Sequence, residues 1–167
     1  MKKYFLLVVI LIGCLLLVGC GGADETGGHA DDHDHGDLPF EWSGEYSLDV
    51  GTYTLEFQES GDPSCDIAFI INEGDMDDRA HHAHHVMEAD METVEAGGHF
   101  TAWADYAYKL NLNPDQTSIT FDLEEAGDYV IFLEHFPHEF DLKFLDASGR
   151  ELTAVNPQEY EDDGHYH

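Results

Sequence analysis

His81, His82, His84 and His85 place four imidazoles within five residues. Neutral imidazole is a ligand for zinc, copper and nickel. If the segment is helical, His81 and His85 stand at i and i+4 on one face, and His81 and His84 at i and i+3. If it is extended, His82 and His84 share a face instead. Either conformation offers two nitrogens to one ion and leaves the rest of the coordination to others. His99 is near in sequence, and Glu88, Asp90, Glu92 and Glu95 lie on the same segment. A second group, Glu134, His135, His138 and Glu139, falls within six residues around Pro137. It offers mixed nitrogen and oxygen ligation, or a carboxylate that orients a ligating histidine. Zinc is the first expectation, with copper or nickel as alternatives. Met76, Met87 and Met91 would suit Cu(I), but Met87 and Met91 at i and i+4 serve equally as an apolar stripe.

The elements around these residues read as β-rich. Glu41 to Leu48 alternates loosely. Gly51 to Gln58 alternates cleanly, with Tyr53, Leu55 and Phe57 on one face, the mark of a half-buried strand. Cys65 to Ile71 is an apolar run rich in β-branched and aromatic residues and predicts a more deeply buried strand. Met76 to Ala96 holds no Gly or Pro and few β-branched residues, which predicts a helical insertion. Asp77 or Asp78 would cap it, and Gly97 would end it. His99 to Leu112 alternates through Phe100, Ala102, Ala104, Tyr106, Tyr108 and Leu110. Further strands are predicted over Ser118–Leu123, Tyr129–His135, Phe140–Phe144 and Glu151–Val155, separated by turns such as Asn113-Pro114-Asp115. Seven or eight short strands with frequent turns predict one mostly β domain, an antiparallel β-sandwich of Greek-key or jelly-roll type over 38–156. Residues 157–167 read as a loose acidic tail.

Residues 1–19 have a different character. Lys2 and Lys3 precede the apolar run Tyr4–Val18, the pattern of a secretion leader. The run ends in Leu17-Val18-Gly19-Cys20, which resembles a bacterial lipobox and implies lipidation at Cys20 and tethering to the outer side of a membrane. Gly21 to Asp37 is glycine-rich and acidic and carries His29, His33 and His35, the composition of a disordered tether. With Lys2 and Lys3 in the leader, only Arg79, Lys109, Lys143 and Arg150 oppose 36 acidic residues. Such a charge excludes nucleic acid as a partner and raises the local concentration of cations. Scarce lysine beside abundant acid also resembles proteins of salt-loving organisms, so part of this charge answers to solvent. Past the leader and the lipidated Cys20 only Cys65 remains, which rules out an intramolecular disulfide.

No Gly-x-Ser-x-Gly or His-Glu-x-x-His is present, so no enzymatic chemistry is expected. The early Glu-Trp-Ser-Gly-Glu-Tyr, the His-rich insertion and the late Tyr-Val-Ile-Phe-Leu-Glu-His-Phe-Pro-His-Glu-Phe together resemble small exported His-rich bacterial lipoproteins associated with transition-metal uptake. That resemblance implies an accessory role beside a metal transporter, with His135 and Glu139 as functional positions. The expectation is therefore a lipid-anchored protein that captures or buffers a divalent metal. The alternative is a sandwich that binds a protein or glycan partner through Trp42, Trp103, Tyr106 and Tyr108, its histidines incidental or pH-sensing.

Overall fold

The computed structural model describes residues 38–59 and 61–160. The leader, Cys20, the 21–37 tether with its three histidines, and His165 and His167 lie outside the described residues. Ten strands form: β1 Trp42–Leu48, β2 Gly51–Phe57, β3 Ser64–Ile71, β4 Glu92–Val94, β5 His99–Ala102, β6 Tyr106–Asn111, β7 Thr117–Leu123, β8 Gly127–Leu133, β9 Lys143–Leu145 and β10 Val155–Glu159. One helix, α1 Met76–Glu88, follows β3, and a 3-10 turn spans Pro137–Glu139. The strands make two sheets, ordered β10-β1-β8-β3-β6-β4 and β5-β7-β2-β9. Apart from β3 to β4, every consecutive pair of strands changes sheet, as the chain of a double-sheet jelly roll does. The architecture is the β-sandwich with a helical insertion that the residue pattern predicts.

Two apolar clusters explain which runs alternate and which do not. Between the sheets, Leu55, Phe57, Ile67, Phe69, Tyr108, Ile119, Phe121 and Ile131 are packed together. On the outer face of the larger sheet, Ala68, Ile70, Val130 and Phe132 meet Ala83 and Met87 of α1, together with Phe40. Strands β3 and β8 are therefore covered on both faces and carry apolar runs over 67–71 and 129–133. Strand β2, at 51–57, has one face in the core and keeps its period of two. Met76, Ala80, Val86 and Met91 also pack against the outer cluster, so these methionines do apolar work.

Several boundaries depart from the residue pattern. The helix stops at Glu88, not near Ala96, because the β-branched Thr93 and Val94 find the open edge of β6. Glu92↔Tyr108 and Val94↔Leu110 pair there in parallel register. Val94 thus enters the inter-sheet core instead of continuing a helical stripe with Met87. Asp75, not Asp77 or Asp78, caps α1 by accepting from the Asp78 amide at 3.0 Å. Gly97 serves the β4–β5 turn, where its φ of +78° is one that a side chain resists.

The predicted His99–Leu112 strand breaks at Trp103–Asp105 into β5 and β6, which belong to different sheets. The Tyr108 hydroxyl staples that corner, donating to Thr101 O at 2.7 Å and accepting from the Trp103 amide at 3.1 Å. The expected strand over Phe140–Phe144 shortens to β9, and of the next predicted strand Glu151 makes an isolated bridge to Leu145 while Val155 opens β10 opposite Glu45. The domain runs past residue 156 to at least Tyr160, because β10 pairs with β1. Tyr160 then stands edge-on to Phe40, with centroids 4.9 Å apart, and its hydroxyl lies 3.1 Å from Ser43 Oγ. Of the aromatics weighed for recognition, Trp42 and Tyr108 are core residues, whereas Trp103 and Tyr106 are exposed. No helix of the described residues is long and apolar enough to cross a membrane.

Candidate metal centre

The antiparallel pairing of β1 with β8 aligns Trp42 with Leu133. The residues just outside that pair are Glu41 on one strand and Glu134 and His135 on the other, 94 positions apart. A backbone bond from Glu41 N to Leu133 O at 3.0 Å fixes this end of the sheet. Pro137 then opens the 3-10 turn, held by Glu139 N to Phe136 O at 3.0 Å and Leu142 N to Pro137 O at 2.9 Å. The turn brings Glu139 back over His135. Glu41, His135 and Glu139 thereby offer three ligand atoms within 4.8 Å of one another, and theirs is the single such trio among the described residues.

Carboxylates flank both nitrogens of the imidazole. Its Nδ1 lies 3.7 Å from Glu41 Oε2 and 3.9 Å from Glu139 Oε2, while Nε2 faces Glu134 Oε2 at 3.9 Å. Glu134 is anchored by the Asp66 amide at 3.0 Å. The ring is half-buried against Phe140, with centroids 5.8 Å apart. A tetrahedral ion with bonds of ~2.0–2.1 Å separates its ligand atoms by about 3.4 Å; Nδ1 stands 3.7 and 3.9 Å from the two carboxylates, and all three ligand atoms, within 4.8 Å of one another, would draw together to hold it. Nδ1 and the carboxylates of Glu41 and Glu139 would then be ligands. Glu134 would receive the Nε2 proton, the partner that a metal-bound histidine ordinarily has.

The charge around this corner is out of balance. Four carboxylates, those of Glu41, Asp66, Glu134 and Glu139, surround one imidazole, and Lys109 approaches Asp66 at 3.6 Å. Burial, and then the negative charge of Glu134, push the Asp66 carboxyl above its ordinary 3.8; Lys109 and His135 pull it part of the way back. The folded state therefore holds this proton more tightly than the unfolded chain does. Stability falls as pH rises from 3.8 through the raised value, and the loss persists above it. Asp66→Asn is accordingly expected to gain stability over the wild type at pH 7 and to lose that advantage at pH 3. Urea midpoints at the two pH values check it; an equal difference at both would contradict the burial argument.

The other predicted ligands go elsewhere. His99 heads β5 on the outer face of the smaller sheet, its Nδ1 2.9 Å from Thr120 Oγ1 and its Nε2 3.1 Å from Asp122 Oδ2. Helix α1 covers the outer face of the other sheet, so two sheets, packed ~10 Å apart, separate His99 from the histidine run. His99 therefore supplies no third ligand to that run. His138 is exposed, stacks on Phe136 with centroids 5.4 Å apart, and borders an inter-sheet cavity of about 380 Å³ beside Trp42, Leu133 and Leu152. It does not join His135. On α1, His84 Nε2 pairs with Glu88 at 3.0 Å and His82 Nδ1 lies 3.9 Å from Asp105.

Glu41 is the member of this trio that the residue pattern misses. Its one sequence signal is its place at the head of the first predicted strand, which has no meaning until the β1–β8 register is known. Cys65, beneath the corner, is fully buried, and burial pushes its thiol far above the usual range, which leaves it inert. Comparison with family models, with curated proteins and with solved structures finds no match to this chain.

Proposed function

We propose that the protein captures or buffers a divalent transition metal, zinc before others, at the Glu41–His135–Glu139 corner. The observation that carries this reading is the convergence of one nitrogen and two oxygen donors, brought together from two distant segments of the chain by strand register and a proline turn. An imidazole among the ligands favours zinc over calcium or magnesium, which prefer oxygen alone. Three protein ligands leave an open position, as sites that exchange an ion or a water do. The net charge of −30 attracts cations to the surface, and the leader ending in Cys20 supports a lipid-anchored position outside the cytoplasm, beside a transporter. Zinc titration calorimetry on the full chain tests the reading. Binding tighter than about 100 μM in the wild type, weakened at least tenfold in Glu41→Gln, is expected. Equal affinities in the two proteins would refute the corner as the site.

A further inference from the structure

His81 and His85 aim their Nε2 atoms at each other across 3.1 Å, with ring planes 82° apart. The stripe Met76, Ala80, Ala83 and Met87 is what α1 lays on the sheet, which turns the 81/85 stripe to solvent. Two nitrogens bound at ~2.0–2.1 Å stand about 2.9 Å apart at a right angle and about 3.4 Å apart in a tetrahedron. The observed separation falls between those limits. The i, i+4 spacing is also the one by which paired helix histidines hold zinc. His84 and His82 face carboxylates of their own, and no third ligand atom joins the pair among the described residues.

We propose that His81 and His85 form a second metal site, independent of the corner, for a divalent transition ion that completes its coordination with water. Copper(II) fits it best. It binds nitrogen ligands most tightly of the common divalent ions, and its tetragonal geometry uses near-right angles. With two protein ligands and full exposure, such a site loads and releases its ion readily, whereas the corner supplies three.

The test uses the full chain with His29, His33, His35, His165 and His167 replaced by Ala, which removes the imidazoles of the two ends. Copper(II) is titrated by equilibrium dialysis and followed by electron paramagnetic resonance. His81→Gln with His85→Gln is expected to lose one equivalent of copper and its two-nitrogen coupling, with zinc affinity at the corner unchanged. Glu41→Gln with His135→Gln is expected to keep the two-nitrogen spectrum. Circular dichroism confirms that α1 persists in both. If the helix variant retains that equivalent and spectrum, the pair is not a site. If the corner variant abolishes the spectrum, the two sites are not independent. Failure of zinc binding at the corner leaves the copper result standing, so the two readings fail separately.

Discussion

His135→Ala is expected to weaken zinc binding at the corner by more than about 100-fold, because it removes the nitrogen of the proposed three-ligand set. Loss of a supporting partner typically costs 10–100-fold in metal affinity, and loss of the ligand itself exceeds that. Glu134→Gln, which keeps the shape and removes the charge facing Nε2, belongs in the smaller range. Competition against a chromophoric zinc chelator separates the two. Without metal, His135→Ala should be nearly silent in stability, since the ring is only half-buried and its carboxylate neighbours lie beyond 3.5 Å. With zinc at ~100 times its dissociation constant, the wild type gains about 2.7 kcal/mol, and the variant does not. A His135→Ala protein that kept this zinc-dependent stabilisation would remove the corner from consideration.

Phe121→Ala carries the largest expected cost in stability, about 3–5 kcal/mol. Phe121 is fully buried in β7, stacked on Tyr53 at 5.4 Å and edge-on to Phe69 at 5.1 Å, with Phe100 and Phe144 at 5.4 and 5.6 Å. Those neighbours come from β2, β3, β5 and β9, so the ring joins both sheets at once. Backbone pairing holds the strands around it in place and limits collapse into the hole. For a domain of this size the melting temperature should fall by on the order of 10–20 °C. Thermal unfolding by circular dichroism measures it. A drop of a degree or two would mean that the aromatic cluster is not the centre of the core.

Both predictions rest on contacts that the sequence discloses unequally. The alternation of Tyr53, Leu55 and Phe57 identifies β2 and its buried face, because a strand with one face in the core must repeat every two residues. The apolar run in β3 announces a deeply buried strand, although not that both of its faces are covered or by what. The stretch from Met76 to Ala96 reads as one helix because local propensity is nearly uniform along it. The free edge of β6, which turns residues 92–94 into a strand, is a partner no window of local sequence contains. The loss of residues 157–160 to a supposed tail has the same origin. Pro157 and the acidic residues mark an exposed edge strand as readily as a tail, and only pairing with β1 decides between them.

By itself the sequence determined the mostly β composition, the position of α1, the negative field and the pool of candidate ligands, since these follow from side-chain type and local period. The i, i+4 meeting of His81 and His85 was also fixed locally, by helix geometry alone. Tertiary structure decided which ligands converge. It placed His99 across two sheets from the histidine run, turned His138 away from His135, and brought Glu41 to His135 through the register of β1 against β8. Such a meeting depends on which strands pair and in what register, and long-range pairing is set by the packing of the whole core.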